Sequence, residues 1–536
     1  MNTDGGSRLI DEASQSSSES RTLVSSFAPN RALLICAHHY GWLYPDLMQE
    51  MRKRFGTSFV LIAADDRVQE FSKYCTARDS VLPVSNFDRS WDENSTEPDA
   101  VIFERARIYE EKYQLNYMQD IIQQDRIISF GFLNVAPNAG FPKRTTRPLV
   151  QIFDYINRCF AFHEKFQDDE KIELIIGRAG GLSDTVMIEV ATRRQIPSTF
   201  LHGSFFGRRA QWTAGPYMSP AAMIRRYQET PPQEPATIAN IEPGGGWNQP
   251  KPESLRKLLT DIAKAIVISL QFTIRDIHRR KKGRRVPLAT VLWTLIQQFR
   301  VRCYLDRVSE KDIDKIASRP FLYVAMPDEP EFTVQSMCRE FADVRAWFRQ
   351  VALSLPSGVV AVFKAHQRVG NRSRSFYEEL LRFPNTIIAH HSLRGVDLVA
   401  RCLATFTLGG STPVEAGQFG KRAIVFGNRN SYSFLPHVRI VDGPGEMAAA
   451  LREAVRPLSA VESSEIRSAV ARFRVALEPI TFDASGTPLF LFSTRTKIEP
   501  KEVSKAVDAL LFVSGCHKDS LGSKARSKSA EKKVLA

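Results

Sequence analysis

Two short segments of this chain carry residue types suited to holding phosphate. The first is Leu408-Gly409-Gly410-Ser411-Thr412-Pro413-Val414-Glu415-Ala416, which follows an apolar run and opens a helical pattern. Gly409 and Gly410 let the backbone turn sharply and let a ligand come close to it. Ser411 or Thr412 can cap the helix, and Pro413 suits its first position. Free N–H groups at such a turn, with the helix dipole behind them, favour an anion. A well-capped strand–helix turn with no ligand would have the same sequence. The second segment is Val362-Phe363-Lys364-Ala365-His366-Gln367-Arg368. Lys364, His366 and Arg368 offer nitrogen donors near one strand end, and such donors can neutralise a phosphate leaving group. By itself the segment also fits a solvated basic loop.

A transfer reaction needs a group to take the acceptor's proton. Ile176-Gly177-Arg178-Ala179-Gly180-Gly181-Leu182-Ser183-Asp184 leaves an apolar run and enters a helix. Asp184 can act as a base on a hydroxyl, or simply as a first-turn acid facing the helix dipole. Glu104, placed at the end of an expected strand over Val101–Phe103, competes with it on equal terms. His38, His39 and His202 end other apolar runs. The ten histidines include no H-E-x-x-H, and no D-x-D turn follows a strand, so no metal site is expected. No cofactor is called for.

Short apolar runs alternating with helical stretches must position these residues. Expected strands are Ala32–Cys36, Phe59–Ala63, Ala100–Phe103, Ile172–Ile176 and Ser198–Leu201. A second set is Phe321–Ala325, Val359–Phe363, Thr386–Ala389, Ala404–Leu408 and Ala423–Phe426. Expected helices include Tyr44–Arg54, Asp184–Arg194, Phe332–Leu355, Leu393–Arg401, Pro413–Phe419 and Glu502–Phe512. The alternation predicts parallel sheets covered on both faces. The chain has 536 residues, and a single core rarely grows beyond about 250–300 residues, so at least two domains are expected.

The boundaries read from composition are a disordered tail over 1–28, an N-terminal acceptor-side domain over 29–228, and a linker with a helical basic insertion over 229–315. A C-terminal domain over 316–490, a helix over 491–515 and a basic disordered tail over 516–536 follow. The insertion holds two helical stretches, Leu255–His278 and Leu288–Leu305, around the run Arg279-Arg280-Lys281-Lys282-Gly283-Arg284-Arg285. That run fits a solvated loop or contact with an anionic membrane surface.

The formal net charge is +14. Without a helix-turn-helix, zinc-finger or RNA-recognition pattern it points to phosphorylated ligands or a membrane surface, not to nucleic acid. Seven scattered cysteines with no C-x-x-C fit a reducing compartment. The Ser- and acid-rich start is not a signal peptide, and no apolar stretch approaches the roughly 20 residues of a membrane span. A cytoplasmic protein is expected, peripheral at most on the inner face of the cell membrane.

Taken in order, Phe321–Glu331, Lys364-Ala365-His366-Gln367, Ser375-Phe376-Tyr377, Phe383-Pro384-Asn385, Gly409–Ala416 and Gly420–Gly427 resemble the C-terminal domain of bacterial capsule and surface-carbohydrate biosynthesis proteins. Those proteins have a GT-B-like fold of two doubly wound, Rossmann-like α/β domains with a cleft between them. The resemblance implies a metal-independent glycosyltransferase that moves a sugar from a nucleotide-sugar donor to a glycan or glycolipid acceptor. It implies a phosphate-binding role for His366, Ser411 and Thr412, and a ribose-holding role for Glu415. Some relatives use CMP-linked 3-deoxy-manno-octulosonate, so CMP stands beside UDP and GDP as the donor nucleotide. The chain departs from the family's Lys-Glu-His-Pro and Gly-bearing turn at Ala365, Gln367, Pro413 and Val414. A CDP-glycerol-type phosphotransferase and a non-catalytic assembly subunit of the same fold are the rival readings.

Overall fold

The computed structural model describes residues 28–36, 43–63, 67–83, 95–125, 148–177, 181–207, 209–215, 221–235, 267, 288–327, 338, 341, 343–365, 372–426, 430–484 and 498–515. Its strands are β1 (Arg31–Ile35), β2 (Ser58–Ala63), β3 (Ser80–Pro83), β4 (Leu174–Gly177), β5 (Ser198–Gly203), β6 (Arg209–Ala214), β7 (Phe321–Ala325), β8 (Val360–Lys364), β9 (Thr386–Ala389), β10 (Ala404–Thr407), β11 (Arg422–Phe426), β12 (Val438–Val441) and β13 (Thr481–Asp483).

They form two sheets, ordered β13-β6-β5-β4-β1-β2-β3 and β12-β11-β10-β7-β8-β9. Each is doubly wound: the chain runs outward from a central strand, then returns to build the other half. The reversal falls between β1 and β4 in the first sheet and between β7 and β10 in the second. Such reversals open crevices at the carboxyl ends of the strands. The central strands β2, β4, β8 and β10 are buried end to end, as parallel strands covered on both faces must be. Gly177 closes β4 at φ +134°, and a Cβ there would stand 2.8 Å from the Ile35 Cβ and 2.9 Å from the Ile35 carbonyl oxygen. Only glycine lets β1 and β4 approach so closely at the reversal.

Four features depart from the sequence expectations. Ala100–Phe103 is not a strand: it lies inside the helix Asp99–Tyr113, and the third strand of the sheet is Ser80–Pro83. Pro98 and Asp99 start that helix, Ile102 and Ala106 bury one stripe of it, and Arg105 grips Glu97 through two 2.8 Å bonds. The first sheet is not wholly parallel, because β6 runs antiparallel to both β5 and β13. Thr481–Asp483 and the helix Pro500–Val513 belong with the first domain, although the second was drawn to 490. β13 joins the first sheet, and the helix Pro500–Val513 packs on the helix Tyr44–Phe55. Trp212 Nε1 donates to the Ala506 carbonyl at 2.9 Å, and Arg54 pairs with Asp508 at 2.5 Å. Within the expected helix Phe332–Leu355 the observed helix is Val344–Ser354, started by Asp343, whose side chain accepts the Ala346 N–H.

The helix Leu288–Val308 is present as expected, while Leu255–His278, apart from Val267, and the basic run Arg279–Arg285 lie outside the described residues. No helix among the described residues is long and apolar enough to cross a membrane.

The two sheets meet through one continuous apolar cluster. Phe205, Phe206, Trp212 and Met223 from the first domain pack with Val414, Tyr432, Val470 and Phe473 from the second. Phe205 follows the carboxyl end of β5 and Tyr432 follows that of β11, and their rings meet edge-on at 5.2 Å. The carboxyl ends of the two sheets therefore face each other. This is the GT-B-like arrangement.

Candidate functional site

Lys364, Ala325 and Thr407 are the last residues of three adjacent strands and lie in register, Ala325 opposite both others. Two strand spacings put the Lys364 and Thr407 backbones roughly 10 Å apart at one sheet edge. Lys364 is 8% exposed, and no carboxylate among the described residues pairs with it. Burial pulls its pKa down from the ordinary lysine value.

Beyond β10 the chain turns at once. Thr407 Oγ1 donates to the Gly409 carbonyl at 2.6 Å and accepts the Gly409 N–H at 3.3 Å, which closes the turn. Gly410 has φ +99°, and the space where a Cβ would stand is open. The helix Thr412–Gln418 then begins, with Pro413 in its first turn. Ser411 occupies the N-cap position but does not cap with its side chain. Its hydroxyl donates to Glu415 Oε1 at 2.8 Å. Glu415 is 9% exposed. Burial raises its pKa to about 6, and the Ser411 hydroxyl works against that rise.

Two residues that the sequence did not single out seat this helix. His437 Nε2–H donates to the Pro413 carbonyl at 2.9 Å. Gly417 is so tightly packed that a Cβ would lie 2.4 Å from Val470 Cγ2 and 2.5 Å from His437 Nε2. After β11, the buried Asn430 Nδ2, Ser431 Oγ, Tyr432 OH and Ser433 Oγ have no hydrogen-bond partner among the described residues. Four orphaned polar groups in succession are costly unless water or a ligand pairs with them. Ser- and Asn-rich composition after a buried strand was the one available signal for them.

The structure brings Lys364, Gly409, Gly410, Ser411, Thr412 and Glu415 to one sheet edge. His366 and Arg368 lie outside the described residues. The next described cation, Arg372, donates to the Pro327 carbonyl at 2.6 Å and so ties down the chain after β7.

On the first sheet, Asp184 sits in the first turn of the helix Leu182–Arg193, reached from the carboxyl end of β4. It is half-buried beside His163, whose Nε2 lies 3.0 Å from Ser183 Oγ. Burial drives the His163 pKa down to about 4, and the Asp184 charge opposes this. Asp125 Oδ2 accepts the Leu182 N–H at 3.1 Å and supplies the cap that Gly181 cannot. Glu104 is not at a strand end. It points to solvent from the helix Asp99–Tyr113 and pairs with Arg107 at 2.7 Å. His38, His39 and Arg178 lie outside the described residues.

No family model matches the chain, and no curated protein matches it in sequence. Solved structures do resemble it. The MnaA–UDP complex of S. aureus is 10% identical over 84% of this chain and 94% of its own, with TM-score 0.28. The calicheamicin glycosyltransferase CalG4 is 13% identical over 90% and 98%, with TM-score 0.27. The β-Kdo 2,4 transferase KpsC of Thermosulfurimonas dismutans is 12% identical over 56% and 80%, with TM-score 0.27.

Proposed function

We propose that this chain transfers a sugar from a nucleotide-activated donor to a capsule or other surface-polysaccharide acceptor. The observation that carries this reading is the buried cation of Lys364, without a carboxylate partner among the described residues, at the same sheet edge as the Gly409–Thr412 turn and Glu415. A lysine is kept in such a place at a desolvation cost, which an anionic ligand would offset. In this reading Lys364 meets the donor phosphate, and the backbone of Gly409 to Thr412 lets it approach. Glu415, as a carboxylate, accepts the ribose hydroxyls.

Asp184, at the carboxyl end of a first-sheet strand, takes the proton of the acceptor hydroxyl as its oxygen bonds to the anomeric carbon. The bond from that carbon to the phosphate oxygen breaks, and the nucleotide leaves with its negative charge against Lys364. The phosphate charge is thus assigned to Lys364 rather than to a metal. The run Arg279–Arg285 would hold the protein near a lipid-linked acceptor on the cytoplasmic membrane face. The test is calorimetric titration with CMP, UDP and GDP, followed by nucleotide release in the presence of nucleotide-sugars and glycan acceptor. Saturable binding that Lys364→Met weakens supports the reading. No binding of any nucleotide, or binding indifferent to Lys364, overturns it.

A further inference from the structure

At the outer edge of the second sheet, β9 runs out into His390-His391-Ser392. The end of the helix Leu288–Val308 brings Asp306 to the same place. The backbone between them is pinned: Glu310 N–H donates to the Ile388 carbonyl at 2.8 Å, and His390 N–H donates to the Glu310 carbonyl at 2.9 Å. His390 Nε2 lies 2.9 Å from Asp306 Oδ1, and His391 Nδ1 lies 3.6 Å from the same oxygen. One ligand atom from each of the three residues falls within a 4.8 Å span. An ion bound tetrahedrally at about 2.0–2.1 Å sets its ligand atoms roughly 3.3 Å apart, and the two measured edges straddle that value.

The surroundings suit an imidazole that ligates. The Ser392 N–H donates to His390 Nδ1 at 3.2 Å and Ser392 Oγ lies 2.6 Å from the same nitrogen, so the ring proton is on Nε2, facing Asp306; an ion bound at Nε2 would shift that proton to Nδ1, where Ser392 Oγ can accept it. An outer hydrogen bond of this kind orients a metal-bound histidine. His390 is buried, while the Asp306 side chain is 42% exposed, so the cluster opens to solvent on one side. Arg302 Nη2 stands 3.4 Å from His391 Nε2. Ligation through Nδ1 moves the ring proton to Nε2, so this long contact is given up.

We propose that Asp306, His390 and His391 bind one divalent transition-metal ion of zinc type, with water in the open position, clipping the end of the helix Leu288–Val308 to β9. Two imidazole nitrogens and one carboxylate oxygen suit zinc or cobalt better than magnesium or calcium, which take oxygen ligands. The site does not depend on the sugar-transfer reading. Its members come from segments 84 residues apart, so no contiguous motif announced it.

The experiment uses the full chain, stripped with chelator and titrated with cobalt(II) and with zinc(II). One equivalent of cobalt is expected to give the visible absorption of a low-coordinate site. Zinc at about a hundredfold excess over its Kd is expected to raise Tm by about 2–3 °C. Asp306→Asn and His391→Gln, both at partly exposed positions, lose the spectrum and the Tm shift while still melting cooperatively. Absence of stoichiometric cobalt uptake by the wild type, or the same spectrum in both variants, overturns the assignment.

Discussion

Replacing Glu415 by Gln should make the protein more stable and its donor site worse. The wild-type carboxyl is 9% exposed and accepts a hydrogen bond from Ser411. Burial holds its pKa at about 6 against an ordinary 4.5. Between these two values the folded state binds more protons than the unfolded chain, so stability falls as pH rises through that window. Above it the full cost is present, about 2 kcal/mol; below it both states are protonated and the cost is gone.

A glutamine carries no charge, and its amide oxygen can still accept the Ser411 hydroxyl. The variant is therefore expected to exceed the wild type by up to about 2 kcal/mol near neutral pH and to match it below the window. Over the same substitution, nucleotide affinity should fall roughly 10–100-fold, because the ribose hydroxyls lose a charged acceptor. Urea unfolding at both pH values, with calorimetric titration at the higher one, measures both quantities. A variant less stable than wild type near neutral pH contradicts the desolvation argument, and unchanged nucleotide binding contradicts the ribose role.

Lys364→Met removes a desolvated charge that no carboxylate among the described residues compensates, so unfolding should show no loss of stability while nucleotide affinity drops roughly 10–100-fold; a destabilised variant with intact binding would make Lys364 structural. Gly417→Ala puts a methyl where Val470 Cγ2 and His437 Nε2 already stand within 2.5 Å. It should cost about 1–3 kcal/mol by denaturant unfolding, and an unaffected midpoint would refute the packing described. His163 and His437 are buried with pKa values of about 4, so below pH 6.5 the unfolded chain binds protons that the folded state refuses. Stability should therefore fall as pH drops from 6.5 to 4, by up to about 3 kcal/mol per histidine. His163→Gln should flatten that acid limb, and a profile with unchanged slope would count against it.

The turn at 408–415 was legible because everything that shapes it is local. An apolar strand, two glycines, a hydroxyl residue and a proline each restrict the same few backbone angles, and the structure has the strand–turn–helix where those restrictions put it. Ser411 shows the limit of that reading. Its position is a cap position, yet Glu415 lies one turn on and buried, and the Ser411 hydroxyl turns to donate to that carboxylate, which leaves its oxygen out of line to accept a backbone N–H. Propensity gave the place of the side chain but not its partner.

The strand expected at Ala100–Phe103 failed for a related reason. A run of four apolar residues fits either a strand or one helical turn, and the decision lay outside it. Pro98 starts the helix, Arg105 reaches back to Glu97 ahead of it, and Glu104–Arg107 is a pair three residues apart on one helical face. Glu104 was a candidate base only by virtue of that strand. As a solvent-facing helix residue it has lost the geometric reason for the role, whereas Asp184 keeps its place past the end of β4.

What no linear pattern could show is the set of contacts made between distant segments. His437 and Val470 are ordinary residues in their own stretches. Val470 gains a role because the helix Ala460–Leu477 folds back across the helix Thr412–Gln418 and packs on Gly417 before the chain returns to the first sheet. His437, directly before β12, holds the Pro413 carbonyl and with it the turn that carries Ser411 and Glu415. The edge at 409–415 is thus held in part by the helix that also closes the two domains against each other. A substitution at Gly417 should disturb the turn and the domain contact together, while one at Ser411 should disturb the turn alone.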